Sequence, residues 1–271
     1  MRYKSGIIFL LSLSLIFCAS PQKKLQEERK KDPIYQYNMG NFFLNEGNIE
    51  EAIKYFKASL TLKPDYDLAL CSLGLAYSMK GDFEQSINYY KTCIRVNPSL
   101  TEAHNFLGTV YQEMGFIDQA EREYRMAIGD AKFKSRHLPF YNLAKLYITK
   151  EKLKEALVYV EEALKIYGNF TMAYNLKGNI LERLNRLPEA IDSYLRALDR
   201  LTPEGRDKDV SISFNLAVAY FKNNEYSKAK EIFERIYLKV TDLEMKDKID
   251  RYLRIINRVH LPIIDTCINN V

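Results

Sequence analysis

The signatures of catalysis are missing from this chain of 271 residues. It has no His-Glu-x-x-His, no Gly-x-Ser-x-Gly and no glycine-rich loop able to cradle a phosphate. Its three histidines, His104, His137 and His260, stand far apart. The four cysteines, Cys18, Cys71, Cys93 and Cys267, form no C-x-x-C pair and no metal-ligand spacing. Adjacent acids such as Glu161 and Glu162 point apart on a helix and are no acid–base pair. A formal net charge of +5 is too small and too scattered for a nucleic-acid footprint. Long low-complexity segments are also absent, and a hydrophobic content of 47% excludes disorder. These absences predict a chain that is not an enzyme and that uses no cofactor and no metal.

What the chain has instead is regularity. Gly40, Gly74, Gly108, Ala144, Gly178 and Ala217 are the small residues of a helical pattern, with successive spacings of 34, 34, 36, 34 and 39. Twelve residues after each comes a second small one: Ala52, Ser86, Ala120, Ala156, Ala190 and Ala229. With the first small residue numbered as position 8 of a repeat, position 11 is aromatic in five of six cases, Leu181 being the other. Position 24 is Phe56, Tyr90, Tyr124, Val160, Tyr194 and Phe233. Positions 7 and 11 share one helical face, and positions 17, 20, 24 and 28 share one face of a second helix. Small residues at 8 and 20 remove bulk where the two helices cross, leaving room for the rings. Gly47, Gly81 and Gly115, with the polar residues Asn185 and Asn224, mark the turn between the helices. Pro64 and Pro98 close the first two repeats, and Gly168 and Pro203 serve later ones.

A period of 34 residues with this pattern resembles the tetratricopeptide repeat, a helix–turn–helix unit. The resemblance implies an all-α, right-handed α-solenoid of six repeats, because one repeat cannot bury both its faces alone. The expected organisation is a leader over 1–18, a polar tether over 19–32 and repeats over 33–243. The repeats run 33–66, 67–100, 101–136, 137–170, 171–209 and 210–243, with extra residues near Lys132–Arg136 and Glu204–Lys208 in inter-repeat loops. Over 244–260, Met245, Ile249, Tyr252, Leu253 and Ile256 form one apolar face, the pattern of a capping helix or, alternatively, of a separate partner-binding helix. A tail, 261–271, follows. Cys93 falls where other repeats carry Ser59, Ala127, Ala163 and Ala197, so it reads as a small packing residue and not as a disulfide partner of Cys71.

The N-terminus has a different layout. Arg2 and Lys4 precede an apolar run, Gly6 to Phe17, too short for a stable membrane span. Leu15 and Cys18 resemble the lipobox of bacterial lipoproteins, with Phe17 where a small residue is usual. The resemblance implies lipidation of Cys18 and a lipid-anchored protein of the cell envelope, facing the periplasm from the outer membrane. Cleavage after Ser20 and an uncleaved anchor are the other readings. The charged stretch Pro21–Asp32 would hold the array off the membrane.

In tetratricopeptide proteins the first helices line a concave groove, with positions 2, 5, 9, 12 and 13 pointing into it. Carried over, the partner-binding groove comprises Ile34, Tyr37, Asn41, Leu44, Leu68, Cys71, Leu75 and Met79 in the first two repeats. Later repeats add Asn105, Tyr141, Asn175 and Phe214. The first two repeats are apolar there, which suits an amphipathic helix or an extended segment of a protein partner; the same residues could instead pack on the tether or on neighbouring repeats. Asn38, Asn105, Asn142, Asn175 and Asn215 could hydrogen-bond a partner's backbone. The carboxylate clamp of chaperone-binding relatives is not matched, because Tyr37, Ser72, Glu102 and Phe106 occupy its places and only Asn41 fits. A lipobox-like leader, a short tether and six repeats are together similar to the pilotin lipoproteins of type IV pilus systems. That resemblance implies a membrane-tethered scaffold assisting secretin assembly; an adaptor docking cell-wall hydrolases or synthases is the alternative.

Overall fold

The computed structural model describes residues 28–130, 133–203, 205 and 209–259. Among them there is no strand, and helices alternate with short turns throughout. The chain divides into two compact units between Gly115 and Phe116. The N-terminal unit holds α1 (Pro33–Asn45), α2 (Ile49–Leu62), α3 (Asp67–Lys80), α4 (Phe83–Val96) and α5 (Glu102–Glu113). The C-terminal unit holds α6 (Ile117–Gly129), α7 (His137–Thr149), α8 (Leu153–Ile166), α9 (Thr171–Arg183), α10 (Leu187–Asp199), α11 (Val210–Lys222), α12 (Tyr226–Tyr237) and α13 (Leu243–Val259). The leader, most of the tether, the tail, and parts of both loop insertions lie outside the described residues.

Helix starts follow local chemistry. Asp32 accepts from the Ile34 N–H at 2.8 Å with Pro33 at the first helical position, and Asp209 accepts from Ile212 N–H at 2.7 Å. Asn48 and Asp82 cap α2 and α4 in the same way. The turn within each hairpin repeats one device at position 15. Gly47, Gly81 and Gly115 have φ of 75°, 82° and 78°, and Glu151, Asn185 and Asn224 reach 57°, 59° and 61°. The left-handed residue lets the next N–H turn back onto the carbonyl at position 11. Asn48 bonds to Phe43 O at 2.8 Å, Asp82 to Tyr77 O at 2.9 Å and Arg186 to Leu181 O at 2.8 Å. Glu151 is the position the sequence pattern misses, since a glutamate carries no sign of positive φ.

The core lies where the two helices of a hairpin cross. Phe56, Tyr90, Tyr194 and Phe233 are at most 1% exposed, and Ala52, Ala156, Ala190 and Ala229 are fully buried. A methyl group placed on Gly74 would lie 2.8 Å from the Tyr90 ring, and one on Gly178 would lie 2.5 Å from the Tyr194 ring. Hydrogen at these positions is what lets a ring fill the crossing. Ser86 shows how close the approach is, since its hydroxyl donates to Gly74 O at 2.7 Å.

One expectation fails in the second hairpin. Cys93 is not a lone packing residue: it forms a disulfide with Cys71, joining α4 to α3 with Cα atoms 5.5 Å apart. Position 27 of the second helix faces the first turns of the first helix, as Ser59 shows by donating to Pro33 O at 2.7 Å. A cysteine there and another at position 5 are therefore within bridging distance. At the C-terminal end, α13 packs on α12 with Ile249 and Ile256 fully buried, while Met245, Tyr252 and Leu253 are half-buried.

Candidate functional site

In the N-terminal unit, α3 and α5 present Leu68, Cys71, Ser72, Leu75, Glu102 and Phe106 around a cavity of 160 Å³ that Tyr37 of α1 also lines. Tyr37 is held by Phe56 and Tyr66, at ring-centroid distances of 6.0 and 5.3 Å, and Leu44 packs on the same core. Asn41 is half-buried. Leu68 is 40% exposed at this cavity, and Ile34 and Met79, elsewhere on the unit, are 56% and 51% exposed. These three occupy positions 2 and 13, the outer positions of the inner face. Position 5 varies in burial: Tyr37 and Cys71 line the cavity, whereas Asn105 is only 4% exposed.

The C-terminal unit treats its inner polar groups differently, by joining them to one another. Asn215 donates to Asn175 Oδ1 at 3.1 Å, and Lys222 pairs with Glu182 at 2.7 Å. Glu182 also accepts from the Tyr194 hydroxyl at 3.1 Å. Phe214 is drawn into an aromatic group with Phe233 and Tyr252, at 5.8 and 6.2 Å. Tyr141 rests against Phe170 at 5.1 Å, and burial pushes its phenol above the ordinary value. Asn175 and Phe214 thus have partners within the fold, where the sequence pattern alone leaves them open to the groove.

Further contacts tie one hairpin to the next. Glu121 of α6 binds Lys150, Arg125 and the Tyr147 hydroxyl at 2.7, 2.8 and 2.8 Å. Burial pushes its carboxyl upward, yet hydrogen bonds from Lys150, Tyr147 and Arg125 outweigh that and hold it at about 2. Arg200 lies 3.9 Å from the centre of the Tyr174 ring and donates to Gly168 O at 2.9 Å, clamping the turn before α9. His137 sits against Tyr167 and Phe170, and burial keeps its pKa low, which suits a neutral packing role.

A feature that periodicity does not point to is Lys177, at position 7 where other repeats carry Leu or Met. It pairs with Glu161 at 2.8 Å in a cavity of 390 Å³ that Tyr174, Asp192 and Arg196 also line. Arg196 pairs with Asp192 at 2.7 Å, so charges there cancel in pairs and leave no anion site. Among the described residues no cluster of three metal-ligating side chains exists, and no helix is long and apolar enough to cross a membrane. Cys18 lies outside the described residues.

Known proteins of similar fold are built the same way. A chain from the functional characterization of Pseudomonas aeruginosa PilF superposes with a TM-score of 0.72 at 14% identity, covering 83% of this chain and 99% of that one. PilW, described as a widely conserved type IV pilus biogenesis factor, gives 0.70 at 11% identity, covering 80% and 97%. A chain of the APC/C hetero-tetramer Cut9–Hcn1 gives 0.70 at 19% identity, with 85% of this chain matched to 44% of that one. At such identities the likeness is one of fold. No curated protein matches the sequence. The tetratricopeptide repeat model, by contrast, matches residues 33–99 and 170–237, and a second model of the same description matches 139–170. Helical hairpins with small residues at the crossing, left-handed turn residues and these matches over more than half the chain place the protein in the tetratricopeptide repeat family.

Proposed function

We propose that the protein is a membrane-tethered scaffold whose N-terminal unit grips an apolar segment of an envelope protein, in the manner of a pilotin acting on secretin subunits. The observation that carries this reading is the apolar cavity of the N-terminal unit. Leu68 stays 40% exposed at the cavity that Leu75 and Phe106 also line, and Ile34 and Met79 are exposed at the same repeat positions 2 and 13. Apolar area left open beside a cavity is the usual mark of a protein contact. Two further points support the envelope. A Cys71–Cys93 disulfide suits an oxidising compartment such as the periplasm. PilF and PilW share the fold over 99% and 97% of their lengths.

Ile34→Glu with Leu68→Glu tests the groove. Both side chains are exposed, so stability should shift by no more than roughly 0.5 kcal/mol. Capture of the partner after mild crosslinking should fall at least about tenfold, the equivalent of roughly 1.4 kcal/mol. Undiminished capture would refute the groove. Secretin subunits among the captured proteins support the pilotin form of the reading, whereas hydrolases or synthases would point to the cell-wall adaptor. For the tether, Cys18→Ala should abolish incorporation of radiolabelled fatty acid and release the protein from membranes. Persistent labelling would show that Cys18 is not the lipid site.

A further inference from the structure

The fifth repeat lacks a ring that other repeats carry. Position 23 is Tyr55, Tyr89 and Tyr159 in the first, second and fourth repeats. Each of these rings lies against the aromatic residue at position 11 of its own repeat, at 5.2, 5.4 and 4.9 Å between centroids. In the fifth repeat position 11 is Leu181 and position 23 is Ser193. Tyr89 shows what such a ring fills. Together with Leu60 of the preceding repeat, it packs against the buried clusters that hold Leu70 and Leu73. Those leucines stand at positions 28, 4 and 7. Their counterparts around Ser193 are Leu164, Tyr174 and Lys177, and all four residues line the cavity of 390 Å³. The cavity thus occupies the place of the missing ring. In the third and sixth repeats position 23 is Glu123 and Ile232, but position 7 stays apolar as Leu107 and Leu216; only the fifth repeat puts a charge there.

The polar groups at this cavity suit a phenol. Burial raises the pKa of the Tyr89 phenol and the charge of Lys57 opposes that rise, so position 25 of the preceding repeat stands near the hydroxyl of a ring in this place. Before the cavity, position 25 is Glu161, which lies 2.8 Å from Lys177. Elsewhere in the same unit the chain seats a phenol on such a pair: the Tyr147 hydroxyl donates to Glu121 at 2.8 Å and accepts from Arg125 at 2.9 Å. Glu161 and Lys177 are both partly exposed, and an ion pair in contact with water opens to a third group at little cost. We propose that the cavity binds the side chain of a tyrosine presented by a protein partner. Its ring lies against Leu164 and Tyr174, where a repeat's own ring would stand, and its hydroxyl donates to Glu161 and accepts from Lys177. The partner's ring thereby completes the packing of the fifth repeat. This inference does not depend on the proposed function, which concerns the N-terminal unit.

Blocked tripeptides test this on the full chain: alanyl-tyrosyl-alanine and alanyl-phenylalanyl-alanine, each acetylated and amidated, titrated while nuclear magnetic resonance follows the backbone amides of Ser193, Lys177 and Leu164. The tyrosine peptide should give saturable shifts at these residues, and the phenylalanine peptide should bind about fivefold more weakly or worse, because it forfeits hydrogen bonds to charged groups. In Ser193→Tyr the chain's own ring fills the place, and affinity should fall about tenfold or more. In Glu161→Ala with Lys177→Leu the two peptides should bind alike. Absence of saturable shifts, equal binding of both peptides to the native protein, or undiminished binding to Ser193→Tyr would overturn the proposal. Should Ser193→Tyr fail to fold, the comparison of the two peptides on the native protein still decides. p-Cresol is the phenol without a peptide chain, and it should bind no more tightly than the tyrosine peptide. Tighter binding of p-cresol by about tenfold would mean that the site excludes a chain-borne ring, and a protein partner would be ruled out.

Discussion

Replacing Gly74 with alanine is expected to destabilise the N-terminal unit by about 2 kcal/mol, although alanine is the better helix former by about 1 kcal/mol. The added methyl would meet Cγ, Cδ1 and Cε1 of Tyr90, each at 2.8 Å. Contact with Cγ cannot be relieved by rotating the ring, and Tyr90 is 1% exposed with Phe106 stacked 5.9 Å away. The helices themselves must separate. Overpacking of this kind costs about 1–3 kcal/mol. Separation also lengthens the bond from Ser86 to Gly74 O, forfeiting roughly 1 kcal/mol more. Gly129→Ala is the control, since nothing lies within 4 Å of the added methyl and no loss is expected. Urea denaturation followed by circular dichroism checks both. The fourth repeat contains a natural answer to the clash, because Ala144 there faces the smaller Val160, both fully buried. Tyr90→Val in the Gly74→Ala background should therefore lose less than the two changes added together, with a coupling of about 1 kcal/mol or more. Strict additivity would mean that position 8 is not matched to position 24. The sixth repeat departs from the pattern, pairing Ala217 with Phe233; there the ring stacks on Tyr252 of α13, 5.0 Å between centroids.

How much of this could be read from the residues depends on how each feature repeats. The crossing and the turn recur in every repeat, so their chemistry is visible as periodicity: small residues at 8 and 20 throughout, and in five of the six repeats a ring at 24 and a turn residue at 15. Periodicity identifies which helix face is inside, but it does not separate the degrees of openness on the other face. Position 5 was assigned to the groove with positions 2 and 13. Asn105 is nevertheless buried, while Leu68 and Met79 are open. Features that occur once leave no periodic signal at all. Lys177 reads as an exception to an apolar column, and only the coordinates bring it to Glu161. Pairing between Asn175 and Asn215, 40 residues apart, likewise needs the longer spacing of the last two repeats to set its register.

The Cys71–Cys93 bond is a further one-time feature, and its removal should have the larger effect. A cross-link spanning 22 residues constrains the unfolded chain by about 3 kcal/mol. Cys71→Ala with Cys93→Ala should lose about that amount, which corresponds to a fall in Tm of roughly 6–12 °C for a chain of this size. Packing contributes little to the loss, because alanine already fills position 27 in three other repeats, fully buried at Ala127, Ala163 and Ala197. Dithiothreitol should lower the stability of the native protein by a similar amount and leave the doubly substituted protein unchanged. An unaltered midpoint on reduction, or two free thiols at these positions in the denatured, unreduced protein, would rule the bond out. The consequence extends to the groove, since Cys71 lines the same cavity as Leu68 and Leu75. Holding α3 to α4 at that point keeps the cavity wall in place before a partner arrives, so less ordering is left for binding itself. Reduction should therefore weaken partner capture more than Gly129→Ala or any other change remote from the cavity. A protein that depends on this bond would be fully assembled only where thiols are oxidised.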